Sequence, residues 1–180
     1  MIEDADRYYK NKQYVKAARL YEDSAEAATS KTQKILLYRK AIGTYRELGS
    51  THDEVRCLLT LCSLFNGLSK IGYLLECWRA YIKAIERHKY ETGFEWKGEE
   101  NNLSEDYSEV IEDYLNEATK TLNIILEIPN VDSNKLLEIL SEDCANRENE
   151  GGWAANECWK SIQEAWKNNR ERNLLKEDET

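Results

Sequence analysis

Three cations recur at i, i+4 and i+8 in the stretch RAYIKAIER, as Arg79, Lys83 and Arg87. On a helix that spacing puts all three on one face. Arg39 and Arg46, with Gly43 between them, form a similar strip earlier in the chain. Aligned guanidinium and ammonium groups suit the steering and capture of an acidic peptide or helix, while the bland reading is a solvated face whose arginine stems cover core residues. Phe94 and Trp96, two rings in the polar segment ETGFEWKGEENNL, are the other notable group. They suit either a plug packed over the end of a helical stack or an anchor for a partner, since aromatic side chains dominate interface energetics.

Other reactive side chains lack the spacing that chemistry requires. His52, Cys57 and Cys62 are five positions apart, which on a helix turns successive side chains by about 140° and scatters any metal ligands. Cys144 and Cys158 have no neighbouring His or Cys pair, and His88 near a helix end suits the carbonyl terminus better than a base. There is no Gly-rich phosphate loop, HExxH, GxSxG or Cys–His dyad. The acidic pairs Glu99-Glu100 and Glu105-Asp106 lie in polar surroundings that give a carboxylate no reason to shift its pKa. No catalytic residue, metal ligand or cofactor is therefore expected. Trp153, Trp159 and Trp166 read as core, because Trp159 and Trp166 lie seven apart on one helical face.

The elements that must position these groups are helical. A chain of 180 residues with 41% hydrophobic content can bury a core, and one proline among eight glycines leaves long uninterrupted helix-forming stretches. No run of 18 apolar residues is present, and the amino terminus MIEDADRYYK lacks a basic-then-apolar layout, so the expectation is a cytoplasmic protein without an integral membrane span. Five cysteines at irregular spacings make a disulfide framework unexpected. Charge is uneven: 15 Lys+Arg against 11 Asp+Glu up to His88, 2 against 10 from Lys89 to Glu117, and 8 against 13 thereafter. A nucleic-acid partner is not expected, because phosphate neutralisation needs a concentrated basic footprint.

The clearest unit is YYKNKQYVKAARLYEDSA, Tyr8 to Ala25. Asn11-Lys12-Gln13 separates one apolar face, with Ile2, Ala5, Tyr8 and Tyr9, from a second with Tyr14, Ala17, Ala18, Tyr21, Ser24 and Ala25. Ser30–Gln33 and Thr51–Glu54 have the form of capping boxes, and Gly49 suits a left-handed helix end. Asn66-Gly67 ends the next helix and Ser69 caps a strongly apolar one running to about Tyr90. Periodicity fails between 91 and 103 and resumes after Ser104 until Pro129; Asp132 or Ser133 opens a further helix, and the EGG at 150–152 precedes the last.

Paired tyrosines late in one helix, a tyrosine after the turn, and the small-aromatic-small series Ala17, Tyr21, Ser24 resemble the central part of a tetratricopeptide repeat. Tyr45–Gly49, the series Cys77, Tyr81, Ala84, and Tyr107, Val110, Tyr114 echo it less closely. The segment KILLYRKAIGTYRELGSTHDEVRCLLTLCSLF is similar to the soluble NSF attachment proteins. The resemblance implies an all-α right-handed superhelix of about eight helices in antiparallel hairpins. It further implies a non-catalytic adaptor that binds a peptide or helical segment, with a trafficking adaptor as one form. The carboxylate clamp of chaperone-binding repeats is not implied, since its positions fall at Ile2 and Asp6, where Lys and Asn are needed.

The expected organisation is repeats over 1–126 with an acidic loop at 91–103, a helical cap over 127–173 and a frayed tail at 174–180. Arg39, Arg46, Arg79, Lys83, Arg87, Phe94 and Trp96 are the candidate partner-binding residues. The expected partner is a protein segment of acidic character, met by a monomer or weak homo-oligomer. The alternative is a self-assembling structural or regulatory subunit that sets the acidic 89–117 segment of one copy against the basic strip of another.

Overall fold

The computed structural model describes residues 1–91, 105–129, 131–151 and 153–178, and among these it contains eight α-helices and no strand. They are α1 (Ile2–Lys10), α2 (Tyr14–Ala27), α3 (Lys31–Leu48), α4 (Thr51–Ser63), α5 (Gly67–Glu91), α6 (Glu105–Leu126), α7 (Ser133–Gly151) and α8 (Trp153–Asp178). The chain forms two compact units, Met1–Ala80 and Tyr81–Thr180, and the boundary falls within α5. Phe94 and Trp96 lie outside the described residues, as do Ser104 and nearly all of the 91–103 segment.

In the first unit the hairpin expected around Asn11-Lys12-Gln13 forms, with Lys12 in the left-handed region at φ 57°. Buried pairs at 17–18, 21–22 and 24–25 on α2 return on α3 at 37–38, 41–42 and 44–45, and again on α4 at 57–58 and 61–62. Positions i, i+1, i+4, i+5, i+7 and i+8 sweep about 160° of a helix, wide enough to face two neighbours at once. Accordingly α2 packs on both α1 and α3, and α3 on both α2 and α4. The small side chains of Ala17, Ala18, Ser24 and Ala25 let backbones approach while Tyr21 and Tyr45 fill the seams.

The helix ends differ from the capping boxes in detail. Gly49 does end α3 in a left-handed conformation (φ 68°), with its N–H bonded to Arg46 O and that of Ser50 to Tyr45 O. Ser30 stands at the start of α3 but makes no side-chain capping bond; Lys31, Thr32 and Gln33 are exposed, so water meets those amides. The cap of α4 is Ser50 rather than Thr51: Thr51 is buried, the Ser50 hydroxyl donates to Asp53 Oδ2 at 2.6 Å, and Glu54 is drawn instead to Arg46. α4 ends at Ser63, before Asn66-Gly67, and α5 opens at Gly67 (φ 57°), so Ser69 lies inside α5 and not at its cap.

In the second unit α6 and α7 both pack on α8. Ala118, Leu122 and Ile125 of α6, Leu136, Leu140 and Cys144 of α7, and Cys158, Ile162 and Ala165 of α8 form its buried apolar centre. The Thr119 hydroxyl meets that of Ser161 at 3.3 Å in the same interior. Asp132 caps α7 by accepting the Lys135 N–H at 3.2 Å. α7 runs through Glu150 to Gly151, so the first two residues of the expected EGG break are helical and its third lies outside the described residues; α8 opens at Trp153 and continues to Asp178 through the polar stretch after Trp166, where no Pro or Gly stops it.

Two expectations are corrected in this unit. Cys144 and Cys158 are joined in a disulfide, although the spacing of the five cysteines gave no sign of one. α7 packs against α8, which brings these two residues together, a proximity that sequence separation alone does not reveal. Trp159 and Trp166 are not core: they keep 40% and 37% of their surface exposed. The buried line of α8 runs through Cys158, Ile162 and Ala165, and the two indoles stand at its edge.

Candidate partner-binding surfaces

The α3 strip is spent on internal bonds. Arg39 Nη2 donates to the Tyr73 hydroxyl at 3.0 Å, and Arg46 pairs with both Glu54 and Glu76. Burial disfavours the charged Arg46, but the two carboxylates outweigh it and raise its pKa. Its positive charge is thus offset at short range. On α5, Arg79 is part-buried, while Lys83 and Arg87 are exposed. Arg87 lies near enough to Tyr114 to oppose, weakly, the upward push that burial gives that phenol. Arg39, Arg46 and Arg79 belong to the first unit, Lys83 and Arg87 to the second.

Three of the tertiary side-chain bonds of the first unit span the same separation. Lys40 reaches Asp6 at 2.6 Å, Arg56 reaches Glu22, and Arg39 reaches Tyr73, each across 34 residues. In two of them the helix between supplies a tyrosine to the same carboxylate: Tyr21 donates to Asp6 Oδ1 at 2.5 Å, and Tyr45 to Glu22 Oε2 at 2.8 Å. Hydrogen bonds from Lys40 and Tyr21 hold the Asp6 carboxyl below its ordinary pKa. Burial, reinforced by the carboxylate each one meets, raises the phenols of Tyr21 and Tyr45. Sequence reading missed Glu22, whose only signal is its place beside Tyr21 on a face otherwise made of small residues.

The three free thiols are buried, and they are not alike: the hydrogen bond with Cys77 lowers the pKa of Cys62. Burial, then the neighbouring Glu22, pushes Cys57 up to about 12, and Cys77 is raised by contact with Cys62 and by burial. Cys57 and Cys77, kept neutral, are poor nucleophiles. Among the described residues, no three His, Cys, Asp or Glu side chains are gathered as a metal site, and no helix is long and apolar enough to cross a membrane.

The open apolar surface lies on the second unit. A groove of about 550 Å³ between α7 and α8 is lined by Leu137, Trp159, Ile162, Gln163, Trp166, Lys167 and Arg170. Trp166 also borders a small interior gap among Leu122, Leu126, Leu136 and Leu140, so one edge of its indole is anchored in the core while the other faces out. Trp159, Gln163, Trp166 and Arg170 follow one another at i, i+4, i+7 and i+11, a continuous stripe of about 16 Å along α8. Such a surface offers area and shape but few converging polar groups, which favours a macromolecular partner over a small polar ligand.

No protein-family model, no curated protein and no solved structure matches this chain.

Proposed function

We propose that this protein is a non-catalytic interaction adaptor, a helical-hairpin scaffold of tetratricopeptide-like organisation that binds a segment of another protein. The observation that carries the functional reading is the groove with Trp159 and Trp166 half-exposed along one edge of α8. Large aromatic surface left open to water is unfavourable unless something covers it, and indoles with one anchored edge make strong interface anchors. The scaffold reading is supported by the hydrogen bonds that recur across 34 residues, the length of a tetratricopeptide repeat. The internal pairing of Arg46 moves the preferred binding surface from the α3 strip to the α7–α8 groove.

The test is comparative affinity capture with mass spectrometry, using the full chain and its Trp159→Ala variant alongside melting curves. One specific partner should be captured by the wild type and lost in the variant at an unchanged melting temperature. Equal capture by both would remove the groove from the binding surface.

A further inference from the structure

Cys62 and Cys77 are free thiols that meet across two helices. Cys62 is the last residue but one of α4, Cys77 lies within α5, and both belong to the first unit. Their side chains are hydrogen-bonded to each other, and Cys62 Sγ also meets the Lys70 carbonyl oxygen at 3.9 Å. Cys62 differs from Cys57, its neighbour on the same helix, in charge and in place. Cys57 faces Glu22, whereas ionised Cys62 receives the Cys77 hydrogen bond and stands near the Lys70 cation, so its pKa falls in spite of burial. Cys57 sits inside α4, while Cys62 adjoins exposed Ser63 and a turn, 64–67, that is exposed or half-exposed. Helix ends open locally at little cost, so solvent reaches Cys62 before Cys57. A readily ionised thiol, a route to it and a second sulfur in contact are what reversible oxidation to a disulfide requires.

We infer that Cys62 and Cys77 form a redox-sensitive dithiol, in which a peroxide oxidises Cys62 and Cys77 resolves it as a disulfide between α4 and α5. In the first step the Cys62 thiolate attacks one oxygen of hydrogen peroxide, the O–O bond breaks, hydroxide leaves and Cys62 becomes a sulfenic acid. In the second the Cys77 sulfur attacks the Cys62 sulfur, the S–O bond breaks, and the hydroxyl departs with the Cys77 proton as water. The thiol pair loses two electrons and two protons, and the peroxide becomes water. Contact with the Cys62 sulfur is the main reason Cys77 holds its proton. Once Cys62 is a neutral sulfenic acid that restraint is lifted, so Cys77 reacts second.

The test exposes the folded full chain to hydrogen peroxide, alkylates it in denaturant and maps the unreduced tryptic peptides by mass spectrometry. Cleavage after Arg56, Lys70 and Arg79 leaves Cys57 with Cys62 in 57–70 and puts Cys77 in 71–79. The expected product joins these two peptides, is two hydrogens lighter than the free pair and carries its alkyl group on Cys57. The thiol titre should fall from three to one. Cys57→Ser should form the link as the wild type does, and Cys62→Ser should form none. Cys77→Ala should leave the sulfenic acid on Cys62 for dimedone to trap, about tenfold more than in the wild type. The wild-type map needs no substitution, so it decides the matter even where a variant fails to fold. Recovery of Cys62 and Cys77 both alkylated, a link from Cys77 to Cys57, or Cys62 carried on to sulfinic acid beside an intact Cys77 thiol would overturn the assignment.

Discussion

Arg56 on α4 forks onto the carboxylate of Glu22 on α2, 34 residues earlier, across a helix that contributes Tyr45 to the same group. Glu22 keeps only 8% of its surface exposed, so its charge depends on these donors. Removing one partner from a largely buried carboxylate leaves desolvation uncompensated. Arg56 itself is half-exposed, so the effect is below that of a fully buried pair. Arg56→Ala is expected to lose about 1–3 kcal/mol in urea unfolding, and a double-mutant cycle with Glu22→Gln should return a coupling of about 1 kcal/mol or more. Independent, additive losses would count against the network.

The carboxylate–tyrosine pairs also set a pH dependence. Asp6 has a folded pKa below its ordinary 3.8, held there by hydrogen bonds from Lys40 and Tyr21. Its stabilising contribution is full above 3.8 and is lost as pH falls through the depressed folded value. Tyr21 and Tyr45 are raised above their ordinary 10.0 by burial and a carboxylate partner. Their contribution is full below pH 10 and declines as pH rises beyond it. Urea midpoints across pH should show the Asp6→Asn deficit shrinking toward zero in acid, and Tyr45→Phe flattening the alkaline limb.

Lys12 occupies a left-handed conformation, φ 57°, in the three-residue turn between α1 and α2. Glycine reaches that region without the Cβ clash. Lys12→Gly is expected to stabilise the protein by about 0.5–1 kcal/mol, and a β-branched Lys12→Val to destabilise it. Thermal midpoints of the three proteins decide it, and a loss of stability in Lys12→Gly would contradict the turn geometry.

Of the five cysteines, Cys144 and Cys158 are bonded across α7 and α8, and Cys57, Cys62 and Cys77 are buried thiols. Denatured, non-reduced protein should titrate as three thiols, and native protein should label slowly at all of them. The bond spans a sequence separation of 14, so the double change to serine is expected to lower stability by about 2–4 kcal/mol. Five reactive thiols in unreduced protein would remove the link.

The first hairpin was legible because Asn11-Lys12-Gln13 interrupts two apolar faces that are each complete on their own. Gly49 and Asp132 were legible because helix ends impose local chemistry that few residues satisfy. The all-α class followed from the scarcity of Pro and Gly. What escaped was set by tertiary register. Arg46 looked like a solvent-facing cation because Glu54 and Glu76 reach it from other helices. Trp159 and Trp166 share the periodicity of core residues but sit at the rim of the buried stripe, a rotation that Cys158, Ile162 and Ala165 would have revealed had they been taken as its centre. The Cys144–Cys158 pairing required knowing that α7 and α8 pack against each other.

The adaptor account rests on the α7–α8 groove being occupied by another protein, and site-specific photo-cross-linking from Gln163, exposed at its centre, tests that directly. With a benzophenone side chain at 163, the expected result is one dominant cross-link to a segment of a different protein, lost when Trp159 is replaced by Ala. Cross-links to a second copy of this chain alone, or a pattern indifferent to Trp159, would contradict it.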